Sequence, residues 1–181
     1  MLVTQVCIGR FHHFHLARQL EKHGLLNAIY TGYPRFKLFD ENKIRADKIR
    51  AFPWLQAPYM AINKIGISQN NWLNREWSWQ AHQTLDKYVA RCINQPTILI
   101  ALSGSGLHAG KKTQALGGIH ICDRGSSHIR TQNQLLTEEY QRYGSKWQGI
   151  DQRSIDKEEA EYLQAQCISV PSQFCYESFL K

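Results

Sequence analysis

The feature that most constrains the fold is a regular alternation of short apolar runs with helical patterns. Residues 2–8 form an apolar run that ends at Gly9, helical spacing follows over 12–24, and a second run over 25–34 completes a β-α-β opening. The runs are continuous, which is typical of parallel strands buried on both faces. The pattern therefore predicts an α/β, Rossmann-like fold, with helices on both faces of a mostly parallel sheet. Further strands are expected within 96–106, 119–122 and 167–172, and further helices within 71–94, 109–118, 131–144, 154–166 and 173–181.

Size and composition indicate a single globular domain spanning residues 1–181. The chain is 43% hydrophobic and 20% charged, close to ordinary globular proteins. Its apolar runs are far shorter than the ~20 residues of a membrane-spanning helix, and its first residues lack the features of a secretory signal. The five cysteines form no C-x-x-C pair, and we expect them to be buried apolar residues. These features predict a cytoplasmic protein.

The net charge of +7 admits several partners. Phosphate-bearing substrates, anionic lipid head groups and nucleic acid all attract a basic surface, and a merely solvated surface has the same composition. No basic stripe is present, so we expect no nucleic-acid partner. One hypothesis is peripheral contact with the inner face of a membrane through aromatic residues near Arg and Lys, and packing of these aromatics in the core is an equal alternative. The aromatics concerned are Trp54, Tyr59, Trp72, Trp77 and Trp79.

The first strand ends in residues suited to an anion. Gly9 and Arg10 lead into a predicted helix, whose N-terminus offers free N–H groups and the positive end of its dipole, and Arg10 adds a bidentate donor. A tight turn is the simpler role for Gly9, since no G-x-G-x-x-G motif is present. His12 and His15 have a spacing that could share a metal ion, but no third ligand is spaced with them, so no metal is expected.

Two later strand ends carry more polar residues. Ser103 and Gly104 follow the strand within 96–106, where a glycine lets a ligand approach the backbone and a serine offers a hydroxyl. The strand at 119–122 stops at Asp123, and a polar segment follows through His128. In open α/β sheets ligands bind outside the carboxyl ends of the strands, so these ends predict a binding site.

The segment from Asp123 to His128 is the strongest candidate for chemistry. Asp123 could accept from sugar hydroxyls or orient a base, and Arg124 could bind phosphate. Ser126, Ser127 and His128 could hydrogen-bond an acceptor molecule. The structural alternatives are that Asp123 pairs with Arg124 and that Ser127 caps the following helix. We predict Asp123 and His128 as catalytic residues, and Gly9, Arg10, His12, Ser103, Gly104, Arg124, Ser126 and Ser127 as substrate-binding residues.

Three segments together resemble a known family. "HICDRGSSHI", "LLTEEYQRYG" and "EEAEYLQAQCISVPSQFCYESF" are similar in order and spacing to the N-terminal domain of GT-B glycosyltransferases of the retaining family 4 type. The resemblance covers nearly the whole chain and is most specific in "DRGSSH" and in "EY" followed by "VPS". Ser172, which ends "VPS", is expected to cap the last helix and is added to the substrate-binding residues.

The resemblance implies one half of a two-domain enzyme. In that architecture the N-terminal domain binds the acceptor, and a C-terminal domain binds a UDP- or GDP-sugar as substrate, with no cofactor. We therefore expect an acceptor-side domain that is incomplete at its C-terminus, inactive alone, and joined to a donor-binding domain in the same or a separate chain. The acceptor would be a glycan or a lipid-linked molecule. The alternative is a non-catalytic, acceptor-binding subunit of a split glycosyltransferase.

Overall fold

The computed structural model describes residues 1–65 and 71–180, and it contains a six-stranded parallel sheet in the order β3-β2-β1-β4-β5-β6. This is the Rossmann strand order: the chain adds β2 and β3 on one side of β1, then crosses back and adds β4, β5 and β6 on the other side. The strands are β1 (Val3–Cys7), β2 (Leu26–Thr31), β3 (Ile49–Ala51), β4 (Ile98–Leu102), β5 (Ile119–Asp123) and β6 (Cys167–Ser169). The helices are α1 (His13–Lys22), α2 (Gln56–Ile65), α3 (Asn71–Cys92), α4 (Leu107–Ala115), α5 (Ile129–Arg142), α6 (Gln152–Gln164) and α7 (Gln173–Ser178). The predicted fold class is confirmed.

Both faces of the sheet are covered by helices, as the continuous apolar runs predict. Every residue of β1 is buried. Neighbouring residues of this strand belong to different cores, because successive side chains point to opposite faces. Val6 packs with Leu85 of α3 and Ala109 of α4, whereas Cys7 packs with Phe14 of α1. A third apolar cluster joins β5 to α5, α6 and the end of α7.

The sequence patterns miss two elements, β3 and α2. Strand β3 has only three residues, too few to show a period, and it forms by pairing with β2. The basic segment before it contains two single-turn 3-10 helices, Arg35–Lys37 and Ala46–Lys48. Helix α2 lies in the aromatic segment that has no regular helical pattern. Pairing and packing, which are tertiary, decide the structure of this part of the chain.

The five cysteines differ in their exposure. All five cysteines are free, and Cys7, Cys122 and Cys175 are buried as expected. Cys167 is exposed, contrary to expectation, because it lies on the edge strand β6. Within the described ranges, no helix combines the length and hydrophobicity needed to cross a bilayer.

Candidate functional site

The loop after β1 and the end of β5 bring a histidine and an aspartate together. His12 directly precedes α1, and Asp123 is the last residue of β5. His12 Nε2 lies 2.5 Å from Asp123 Oδ2, across the carboxyl end of β4. Two residues that the sequence selects separately, 111 positions apart, thus form one pair at the point where the strand order reverses.

Asp123 is fixed from both sides, whereas His12 is open to solvent. Ser169 Oγ, at the end of β6, donates to Asp123 Oδ1 over 2.5 Å. The Asp123 side chain is 17% exposed and the His12 side chain 57%. Nε2 of His12 faces the carboxylate, and more than half of the His12 side chain is open to solvent. A carboxylate that orients an imidazole in this way is a recurring arrangement in catalytic sites.

His13 approaches the same carboxylate from the interior. Its side chain is fully buried, and Nε2 lies 3.3 Å from Asp123 Oδ2 without hydrogen-bonding geometry. Burial lowers the pKa of His13 to about 4, although the Asp123 carboxylate opposes that shift and His12 adds to it. The imidazole is therefore neutral near pH 7. We call His12, His13, Asp123 and Ser169 the open cluster.

The open cluster contains the ligand types of a metal site. One ligand atom each from His12, His13 and Asp123 lies within 4.8 Å of the others. The pair weighed from the sequence, His12 with His15, does not form. His15 Nδ1 instead contacts Arg18 Nη2 at 2.7 Å.

Arg10 is paired with carboxylates of the protein. Its guanidinium lies 2.7 Å from Asp40 and 2.6 Å from Glu41, and Glu41 also binds Arg18. The local charge that would attract a phosphate is therefore offset. Gly9, whose carbonyl accepts from the Thr31 hydroxyl, stays at the tight turn.

The turn after β4 also directs its polar groups inward. Ser103 N donates to the Asp123 carbonyl over 3.1 Å, and Ser103 Oγ accepts from Arg124. Gly104 has a φ of +81°, which favours glycine, and its N–H donates to the buried Glu161 over 2.8 Å. These contacts shape the turn, and Gly104 also lines a cavity between α3 and α6.

Arg124 is a structural residue in this geometry. It is 8% exposed and donates to Ser103 Oγ, to the Ser127 carbonyl, to Glu158 at 2.8 Å and to Gln132. The alternative pairing of Asp123 with Arg124 does not occur, because successive side chains of an extended chain point to opposite sides. The Arg124 guanidinium is therefore already bonded to groups of the protein and is not open to the predicted phosphate.

The rest of the predicted segment caps helices and packs. His128 Nδ1 accepts from Arg130 N over 3.3 Å at the start of α5, so His128 caps this helix and Ser127 does not. The His128 ring also packs against Tyr162 and Phe179. Ser126 donates to the Ser127 carbonyl over 3.4 Å. Ser172 caps α7 as expected, accepting from Cys175 N.

A second group of charges lies beside the open cluster but is buried. Glu158 accepts from Arg124 and from the Tyr162 hydroxyl, and neighbouring Lys157 lies 3.0 Å from the fully buried Asp86. We call these five residues the closed cluster. Asp86 also accepts from two backbone N–H groups at the start of α4. Each charge here has an oppositely charged neighbour inside the protein, although Lys157 Nζ has no hydrogen-bond partner.

A cavity of about 80 Å³ opens above the closed cluster, between α3 and α6. It joins a groove of about 300 Å³ through the shared residues Ser78, Trp79 and Ser154. Tyr59, Trp79 and Trp147 give the groove an aromatic lining. The predicted tryptophan segment is thus divided: Trp54 and Trp72 are 73% and 66% exposed, while Trp77 donates to the Leu55 carbonyl and is partly buried.

Sequence reasoning missed His13, Ser169, Lys157 and the groove. The doubled histidine at 12–13 is a signal that could have selected His13 together with His12. Ser169 and Lys157 carry no local signal, because their partners come from distant strands and helices.

Comparison with known proteins adds little to this picture. No protein-family model matches the sequence, and no curated protein matches it. A crystal structure from Listeria monocytogenes, provisionally assigned as a UDP-N-acetylglucosamine 2-epimerase, aligns with a TM-score of 0.47 and 11% identity. The alignment covers 99% of this chain, which spans 41% of the length of that protein. So distant a likeness carries no functional argument, and the assignment to family 4 stays a prediction.

Proposed function

We propose that the chain is the acceptor-side domain of a glycosyltransferase that moves a sugar from a UDP- or GDP-sugar to a hydroxyl of a glycan or lipid-linked acceptor. The observation that carries the proposal is the His12–Asp123 pair. It is exposed on the histidine side and fixed on the aspartate side, and it stands at the edge where α/β sheets bind ligands. A donor-binding domain, in the same or a separate chain, completes the enzyme.

In this proposal His12 binds the acceptor hydroxyl. Asp123 accepts the Nε2 proton of His12 and so selects the tautomer whose Nδ1 carries a lone pair. Nδ1 accepts the hydrogen bond of the hydroxyl and holds its oxygen towards the sugar carbon. We also assign to the acceptor the groove lined by Tyr59, Trp79 and Trp147, an aromatic surface on which the rest of the acceptor can pack.

The stereochemical outcome separates two roles for His12. If His12 removes the hydroxyl proton as a base, the activated oxygen displaces the diphosphate directly and inverts the sugar carbon. If the leaving diphosphate takes that proton on the same face, configuration is retained, as the resemblance to family 4 implies, and His12 only orients the hydroxyl. The anomeric configuration of the product distinguishes these roles.

The test compares His12→Ala and Asp123→Asn with His15→Ala in the enzyme that contains this chain and its donor-binding domain. His15 is exposed on the same helix and outside the open cluster. Transfer from labelled UDP- and GDP-sugars to a panel of glycans and lipid-linked acceptors should fall at least ~10-fold in the first two variants, or about 1.4 kcal/mol. His15→Ala should stay within about twofold.

The proposal fails if His12→Ala and Asp123→Asn both transfer sugar at the wild-type rate. The 181-residue chain alone should transfer no sugar. A different result would support the alternative function. If the chain joined to its donor-binding domain also transfers no sugar, but the chain binds an acceptor glycan and His12→Ala abolishes that binding, the chain is a non-catalytic, acceptor-binding subunit.

A further inference from the structure

We propose that His12, His13 and Asp123 form a binding site for one divalent transition-metal ion of the Zn²⁺ type. The inference goes beyond the proposed sugar transfer and does not depend on it. It concerns the open cluster itself, in which two imidazoles converge on one carboxylate oxygen.

The distances already approach those of a coordination sphere. His12 Nε2 and His13 Nε2 lie 2.5 and 3.3 Å from Asp123 Oδ2, and the three ligand atoms lie within 4.8 Å of one another. Metal bonds of about 2.0–2.2 Å place ligand atoms roughly 3–4 Å apart. To admit the ion, the exposed His12 ring has to move roughly 0.5–1.5 Å away from Asp123 Oδ2, and its Nε2 has to lose its proton.

The decisive observation is the state of His13. This side chain is fully buried, and neither of its ring nitrogens has a hydrogen-bond partner. A buried polar group without partners loses the hydrogen bonds that water supplies. His120 is in the same state beside Glu161, but among the described residues it belongs to no group of three ligand-type side chains, whereas His13 does. A simple His12–Asp123 hydrogen bond explains His12 and leaves His13 unexplained. An ion in front of Nε2 gives His13 a partner.

The surroundings favour a particular class of ion. Ser169 holds Asp123 Oδ1, so Oδ2 remains as a single, oriented ligand atom, an arrangement common around metal-binding carboxylates. Two imidazoles and one carboxylate select Zn²⁺ or a similar transition metal over Mg²⁺ or Ca²⁺, which prefer oxygen ligands. Three protein ligands leave a further position for water or a substrate oxygen.

Metal binding and the His12–Asp123 hydrogen bond exclude each other. The ion replaces the proton that Nε2 of His12 shares with the carboxylate. The cluster therefore has two forms, one that shares a proton and one that holds a metal. Zinc should change sugar transfer only if the proposed function is correct.

The test is calorimetric titration of the EDTA-treated, 181-residue chain with ZnCl₂, in a Cys167→Ser background that removes the exposed thiol. One ion should bind per chain with a Kd below ~10 μM. His12→Ala should weaken binding at least ~10-fold, and Asp123→Asn should weaken it similarly. His15→Ala should leave the Kd within about twofold. His12 is exposed, so loss of binding in His12→Ala with an unchanged circular dichroism spectrum cannot result from unfolding.

Co²⁺ spectra identify the ligands. Bound Co²⁺ should give visible bands of low-coordinate nitrogen and oxygen ligation, without a thiolate-to-cobalt band. Zinc binding weaker than ~100 μM, or equal binding by wild type and His12→Ala, overturns the proposal. The titration needs no sugar transfer, so it separates the two proposals. If His12→Ala loses zinc binding but the metal-free enzyme still transfers sugar normally, the metal site stands and the proposed function fails. If His12→Ala binds zinc as wild type does but transfers less sugar, the proposed function stands and the metal site fails.

Discussion

The open and closed clusters lie at the same edge of the sheet and draw on adjacent residues, yet they differ in kind. Asp123 contributes to the open cluster and Arg124 to the closed one. In the closed cluster each charge is buried against an opposite charge, although Lys157 Nζ forms no hydrogen bond with its neighbour Asp86. In the open cluster one imidazole reaches solvent, and another is buried without a hydrogen-bond partner. Polar side chains that follow a strand therefore indicate a binding site only when some of their donors or acceptors are not already used by other residues of the protein.

The largest expected effect is on stability, in the closed cluster. Asp86→Ala removes the partner of buried Lys157 and the acceptor for His108 N and Ala109 N. Breaking a buried pair by deleting one member typically costs about 3–5 kcal/mol. Urea denaturation should show a loss of this size.

Two comparison variants make that result interpretable. Asp86→Asn keeps an acceptor oxygen for α4 and should lose less than Asp86→Ala. His12→Ala, in the open cluster, should change the free energy of unfolding by less than about 1 kcal/mol, the range of an exposed ion pair. Equal losses in Asp86→Ala and His12→Ala would remove the distinction between the clusters.

The next effect is an acid sensitivity that originates in the open cluster. Burial lowers the pKa of His13 to about 4, whereas an unfolded histidine titrates near pH 6.5. Between these values the unfolded chain binds more protons, so the free energy of unfolding falls as pH falls from 6.5 towards 4. His13 alone accounts for a loss on the order of 3 kcal/mol over that window.

His13→Gln measures that contribution directly. In EDTA, its free energy of unfolding should depend less on pH between 4 and 6.5 than that of wild type. His15→Ala should follow the wild-type curve. His82, whose pKa burial also lowers to about 4, affects all three proteins alike. Parallel curves for wild type and His13→Gln would show that His13 is not held neutral by the fold.

The sequence predicts the fold better than the site, for a physical reason. Hydrophobic period and helix caps are local, so every strand except β3, most helices and the Ser172 cap could be found in advance. Whether a charge is free depends on partners far along the chain. In the sequence, Arg10 and Arg124 have the features of phosphate ligands. In the structure, Arg10 forms an ion pair with Glu41, and Arg124 forms one with Glu158. His12 and Asp123 could be selected singly, whereas their pairing required the strand order.

The smallest expected effect tests whether His128, which the sequence predicts as catalytic, has a structural role instead. In the structure it caps α5 and packs against Tyr162 and Phe179, at the border of the closed cluster. His128→Ala should lower the free energy of unfolding by about 1–2 kcal/mol, from the lost cap and ring contacts. Sugar transfer per folded molecule should stay within about twofold of wild type. His128→Asn, which can still cap the helix, should recover part of the stability. A ~10-fold loss of transfer in both variants at unchanged stability would instead place His128 with His12 and Asp123 in contact with substrate, and the boundary between the clusters would have to move.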